Sequence, residues 1–175
     1  MALGLGSGMV FSSSTDTLIH SYSASFGAGD VDGWVKWNVD SGSLVGEAAD
    51  SGRLKLTYTA NESGSSGVKK EIGSPSIGKK SGDYYKINFS IKPVGTFDGA
   101  DPVQVRASSL GAASTTQPDL TIGEWNNLSL TGTSTSDAYT TVTFIYIADS
   151  GDYPDNGDII YIKDVNIQIY RPFGN

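Results

Sequence analysis

Apolar and polar residues alternate along most of this chain from Thr17 onward, and that period of two predicts β-strands rather than helices. In Arg53-Leu-Lys-Leu-Thr-Tyr58 the alternation puts Leu54, Leu56 and Tyr58 on one face. In Tyr84-Tyr-Lys-Ile-Asn-Phe-Ser-Ile-Lys92 it turns Tyr85, Ile87, Phe89 and Ile91 inward. Pro102-Val-Gln-Val-Arg-Ala107 and Asn127-Leu-Ser-Leu-Thr131 are shorter runs of the same kind. Thr140–Ala148 is apolar on both phases, as expected of a central strand covered on both sides. Asp158–Tyr170 is long enough for two strand halves, with a bulge or bend predicted near Lys163-Asp164. Turns rich in Gly, Asn, Asp and Ser separate these runs, for example Asn61–Gly67 and Asp149–Gly157. No window carries a helical stripe. About nine or ten short strands at this spacing predict an all-β, two-sheet antiparallel sandwich or barrel.

Residues 1–16 break the pattern. Gly and Ser dominate there, and Leu3, Leu5, Met9, Val10 and Phe11 stand as isolated apolar knobs. Such a segment predicts an extended arm that orders when a partner binds its knobs, leaving 17–175 as the folded domain. With 175 residues, one domain of this kind buries an adequate core.

Composition narrows the chemistry. The net charge is −7 and the pI about 4.5, which argues against a nucleic-acid partner. Lys69, Lys70, Lys79 and Lys80 are too scattered in sequence to form a phosphate-binding tract. The chain has no cysteine, which removes disulfides, thiolate nucleophiles and Cys-ligated zinc. No stretch approaches the ~20 apolar residues of a membrane helix. The N-terminus lacks the charged and apolar regions of a secretory signal, which predicts a chain made and assembled in the cytoplasm. Gly73–Lys80 nearly spells a phosphate-binding loop, but Lys80 stands where Ser or Thr must hold magnesium, and no helix follows. His20 is the only histidine, so a histidine-based triad has no partners, and it reads as a strand residue near an edge. Asp152, Asp155 and Asp158 crowd one loop rather than flanking a cleft, so no enzyme is expected.

Five landmarks in order resemble the jelly rolls of carbohydrate-binding modules, the galactose-binding-like sandwiches. They are Gly33-Trp34, Gly52-Arg-Leu-Lys-Leu56, Tyr85–Lys92, Gly123-Glu-Trp-Asn-Asn-Leu-Ser129 and Tyr161-Ile-Lys-Asp-Val165. The resemblance spans roughly 17–170. It implies core roles for Trp34 and Trp125, and leaves Trp37, Tyr139 and Tyr153 as candidates to stack on sugar rings. Many members of that family also hold a structural calcium; Asp164 matches the last-strand carboxylate, but Ser21–Phe26 stands where the opening acid should be, so the site is depleted unless Glu47 compensates, and no cofactor is expected. Two functions are then in play. One is a non-enzymatic structural virion protein of a tailed bacteriophage: a capsid decoration, head-fibre or tail-associated subunit. It would be multi-copy or homo-oligomeric, attached to other virion proteins through the arm, and located in the virion. The alternative is a carbohydrate-binding module for a polysaccharide or host-surface glycan.

Overall fold

The computed structural model describes residues 16–72, 78–97, 103–108, 114–117, 120–134, 137, 141–147 and 153–174. The strands are β1 (Thr17–Ser23), β2 (Val35–Trp37), β3 (Gly42–Glu47), β4 (Arg53–Tyr58), β5 (Ser66–Ile72), β6 (Tyr84–Val94), β7 (Val103–Ser108), β8 (Ser114–Gln117), β9 (Asn126–Thr133), β10 (Thr141–Ile147) and β11 (Ile159–Arg171). They pair antiparallel in two sheets. The six-stranded sheet runs β3-β4-β11-β6-β9, with β1 added beside β11; the five-stranded sheet runs β2-β5-β10-β7-β8. The expected two-sheet jelly roll is the observed fold, and β10 holds the central place predicted for Thr140–Ala148. The only helical piece among the described residues is a single 3-10 turn, Ala49–Ser51.

The alternation seen in the sequence builds the core. Leu54, Leu56 and Tyr58 of β4, and Tyr85, Ile87, Phe89 and Ile91 of β6, are all buried between the sheets. From the other sheet Val68, Ile72 and Ile145 meet them, and Phe26 and Trp34 close one margin. Gly132 of β9 makes room for the Tyr85 ring, since a Cβ there would lie 2.2 Å from the phenol oxygen.

β11 is the keel of the larger sheet. Its first half pairs with β4 and its second with β1, while β6 runs along the other side of both. Ile160 and Ile162 point inward; the inward phase then resumes at Val165, Ile167 and Ile169. Between them Lys163 and Asp164 both lie on the outer surface, the register with β6 shifts, and Asp164 takes a left-handed φ of 54°. This is the bulge predicted at Lys163-Asp164.

Trp34 is buried in the core as expected, with its Nε1 donating to the Tyr22 hydroxyl at 2.9 Å. Trp125 is not a core residue. It is half-buried beside β9, and the Lys163 ammonium lies 4.5 Å from its ring centre. The inward residues of β9 are Leu128 and Leu130, and Trp125 sits on the opposite phase.

Candidate functional site

Trp37 ends β2, the edge strand of the five-stranded sheet. Trp34 turns into the core, so extended backbone puts Val35 and Trp37 on the opposite, outer phase. Trp37 is half-buried there, and Val35 is 48 % exposed. Cross-strand register sets Trp37 opposite Gly67 and Val35 opposite Lys69. An aromatic residue beside one with no side chain leaves the sheet surface open next to the ring. A hollow of about 410 Å³ continues along this face, lined by Gly33, Val35, Lys69, Lys70 and Glu71.

The inner margin of that hollow is held by a network that sequence reading left undescribed. Tyr22 donates to Asp32 Oδ2 at 2.7 Å, and the Ser25 amide donates to the same oxygen at 3.1 Å. The Lys70 ammonium donates to the Asp32 carbonyl and lies 3.7 Å from its carboxylate. Burial raises the Asp32 pKa, but the hydrogen bonds from Tyr22 and Ser25 and the Lys70 charge outweigh it, leaving the carboxyl below its ordinary range. Burial, with the bond to Asp32, drives the Tyr22 phenol upward. Gly33 has a φ of 69°, a left-handed conformation that favours glycine at this turn.

At the other end of the face, Glu62 joins the loop after Trp37 to the loop carrying Tyr153. Its buried carboxylate accepts the Asp40 amide at 3.1 Å from each oxygen, and its own amide donates to the Pro154 carbonyl at 2.8 Å. Of the three sequence-predicted stacking residues, Trp37 thus ends the strand that leads into one of these tied loops, and Tyr153 stands on the other. Tyr153 is itself half-buried. Tyr139 lies outside the described residues, as do the arm residues Leu3, Leu5, Met9, Val10 and Phe11.

The two acids suggested for calcium do not suit the ion. Glu47 is taken by cations: Arg53 Nη2 at 2.6 Å, Arg53 Nε at 2.7 Å and Lys55 Nζ at 3.6 Å. Asp164 projects from the bulge, 3.5 Å from Ser90 Oγ and 3.9 Å from Lys163 Nζ. No group of three or more His, Cys, Asp or Glu stands together among the described residues, whereas calcium asks for several oxygens. Lys79, from the loop that imitates a phosphate-binding motif, is buried and donates to Ser134 Oγ at 3.0 Å.

The outer face of the six-stranded sheet holds residues that sequence reading passed over. Lys55, Tyr161 and Lys92 lie in one cross-strand row over β4, β11 and β6. Arg53 stands 4.1 Å from the Tyr161 ring centre, and Lys163 follows on β11 against Trp125. Beside them is a hollow of about 280 Å³ lined by Asn88, Phe89, Ser90, Asn127, Leu128, Ser129 and Asp164, where Ser90 donates to Asn127 Oδ1 at 2.7 Å. The available signal was basic residues on the outward phases of three strands, Arg53 and Lys55 on β4, Lys86 and Lys92 on β6 and Lys163 on β11.

No family model and no curated protein matches this chain. Solved structures do match. A CBM61 module in complex with β-1,4-galactotriose is 14 % identical with a TM-score of 0.52, over 82 % of this chain and 91 % of that one. A cyclase from Fischerella sp. TAU is 10 % identical with a TM-score of 0.58, over 87 % and 99 %. The enzymatically active domain of tailspike protein 4 from bacteriophage CBA120 is 12 % identical with a TM-score of 0.50, over 81 % of this chain but 20 % of that one. At these identities the likeness is one of fold, that of a carbohydrate-binding-module-like jelly roll.

Proposed function

We propose that this chain is a non-catalytic carbohydrate-binding module that takes a neutral polysaccharide on the outer face of its five-stranded sheet. The observation that carries the reading is the placement of Trp37, half-buried on that face opposite Gly67 and in line with Val35 and the hollow beyond it. A sugar ring has an apolar face of C–H groups, and a fixed aromatic ring covers it at little cost in conformational entropy. Lys69 and Glu71 at the hollow offer a donor and an acceptor to the ring hydroxyls. Glu62 acts as a positioning residue, holding the loops that carry Asp40 and Tyr153. The fold shared with the galactotriose-binding module supports the reading.

Affinity electrophoresis of the full chain in β-1,4-galactan and in xylan tests it. Retardation by one of these, lost in Trp37→Ala while Tm stays within about 3 °C, is the expected result. Unretarded wild-type protein in both, or a Trp37→Ala variant that binds as before, would overturn it.

A second reading, assembly into a tailed-phage virion, draws on the likeness to the tailspike domain. In it the arm at 1–16 fills grooves of a neighbouring subunit while the jelly roll is displayed. The two readings are compatible, since a displayed module is able to hold glycans.

A further inference from the structure

We propose a second, separate site on the outer face of the six-stranded sheet, built for an acidic polysaccharide whose sugars carry carboxylates. It stands on the opposite sheet from Trp37 and does not depend on the reading given above.

Its centre is Tyr161. Register places Lys55 and Lys92 on either side of it, about 10 Å apart across three strands, and Lys163 follows two residues along β11 on the same surface. Charge is unevenly distributed here. The chain as a whole carries −7, yet Lys55, Lys92 and Lys163 share this surface with Arg53, where the nearby carboxylates are Glu47, Asp50 and Asp164. Glu47 is largely consumed by Arg53, which also reaches Asp50 at 2.8 Å. Lys92 has no carboxylate partner among the described residues.

The aromatic rings on this face are engaged by cations. Arg53 lies over Tyr161 at 4.1 Å and Lys55 at 5.8 Å, while Lys163 lies over Trp125 at 4.5 Å. Rings capped by cations have less surface to offer a neutral sugar. They hold long cationic side chains flat on the sheet, which lowers the entropy cost of fixing those charges around an anion. The adjoining hollow supplies what a charge patch alone lacks. Asn88, Asn127, Ser90 and Ser129 form a set of amides and hydroxyls suited to sugar hydroxyls, and Ser90 fixes Asn127 by donating to its Oδ1. Asp164 rises from the bulge at the rim as a further acceptor. Cations beside a largely apolar hollow edged by amides and hydroxyls fit a carboxylated sugar, with its C–H face and its hydroxyls, better than a nucleic acid. Bases would ask for free aromatic faces, and these are covered.

The test is affinity electrophoresis of the full chain in polygalacturonate, in neutral β-1,4-galactan, and against a single-stranded oligonucleotide of matched charge. Polygalacturonate should retard the protein, less so as salt rises. Lys55→Gln/Lys92→Gln/Lys163→Gln should weaken that binding about tenfold, as three exposed ion pairs are lost. Asn127→Ala should weaken it too, and Trp37→Ala should leave it unchanged. Circular dichroism and Tm of each variant check the fold, and the salt series on the wild-type chain needs no variant. Polygalacturonate that fails to retard the wild type, or a triple variant that folds and binds as before, would overturn the site. Equal or tighter binding of the oligonucleotide would overturn the sugar assignment and leave a charge patch.

Discussion

His20 shows how a single side chain couples to acidity. It lies on β1, which pairs with β11 alone among the described strands, so it holds the edge position expected of it. Its Nε2 is buried without a hydrogen-bond partner, and burial lowers its pKa from 6.5. A depressed histidine is more readily protonated in the unfolded chain than in the folded one. Its contribution is therefore fully present above pH 6.5 and declines as pH falls from there toward the folded value. Between about pH 7.5 and pH 5.5 the wild-type Tm should fall, and His20→Gln should flatten that slope. Thermal melts across the interval check it, and superimposable profiles for the two proteins would refute it. The direction of this effect depends on burial, which one isolated histidine in a sequence does not reveal. Trp125 is the opposite case. Leu128 and Leu130 mark the inward phase of β9, and Trp125 stands on the other, so its outward placement was legible from parity alone. The resemblance argued for the core, and the strand geometry prevailed.

At the scale of elements, the bulge in β11 decides which residues reach which surface. Without it, Ile160 and Ile162 would share a face with Asp164 and Asn166, and Val165, Ile167 and Ile169 would turn to solvent. The extra residue corrects the phase. It also leaves Lys163 and Asp164 together on the outside, at the rim of the proposed acidic-sugar site. Asp164 bears the backbone cost, since its φ of 54° suits glycine or a short polar residue. Asp164→Val should lose about 1–2 kcal/mol by urea denaturation, and Asp164→Gly should stay close to the wild type. A valine variant of unchanged stability would mean that the left-handed turn is not held. The bulge was readable because Lys163-Asp164 interrupts an otherwise regular alternation. Its effect on neighbouring surfaces was not, because β4, β6 and β9 arrive beside it from distant parts of the chain.

For the molecule as a whole, the two ends of the described chain meet. Thr17 pairs with Arg171 where β1 lies along β11, and Tyr84 donates to Asp16 at 2.8 Å close by. Arg171 closes the same end by donating to the buried Asp83 at 2.9 and 3.0 Å. Among the described residues the buried hydrophobic core begins at Phe26, and reading the Gly- and Ser-rich segment as an arm means that folding should not require it. A chain beginning at Asp16 should melt within about 2 °C of the full protein. A large drop in Tm would show that residues 1–15 belong to the domain.

The sequence by itself determined the all-β class, the inward faces of β4 and β6, the central place of β10 and the bulge in β11. These follow from alternation, which is a local property of extended backbone. Tertiary structure alone decided the surfaces. Trp37 faces Gly67, and Lys55, Tyr161 and Lys92 share a row, only through the register of strands far apart in the chain. The −7 net charge likewise gave no hint of a cluster of lysines. Net charge adds every residue regardless of place, whereas antiparallel pairing brings selected ones together on one surface.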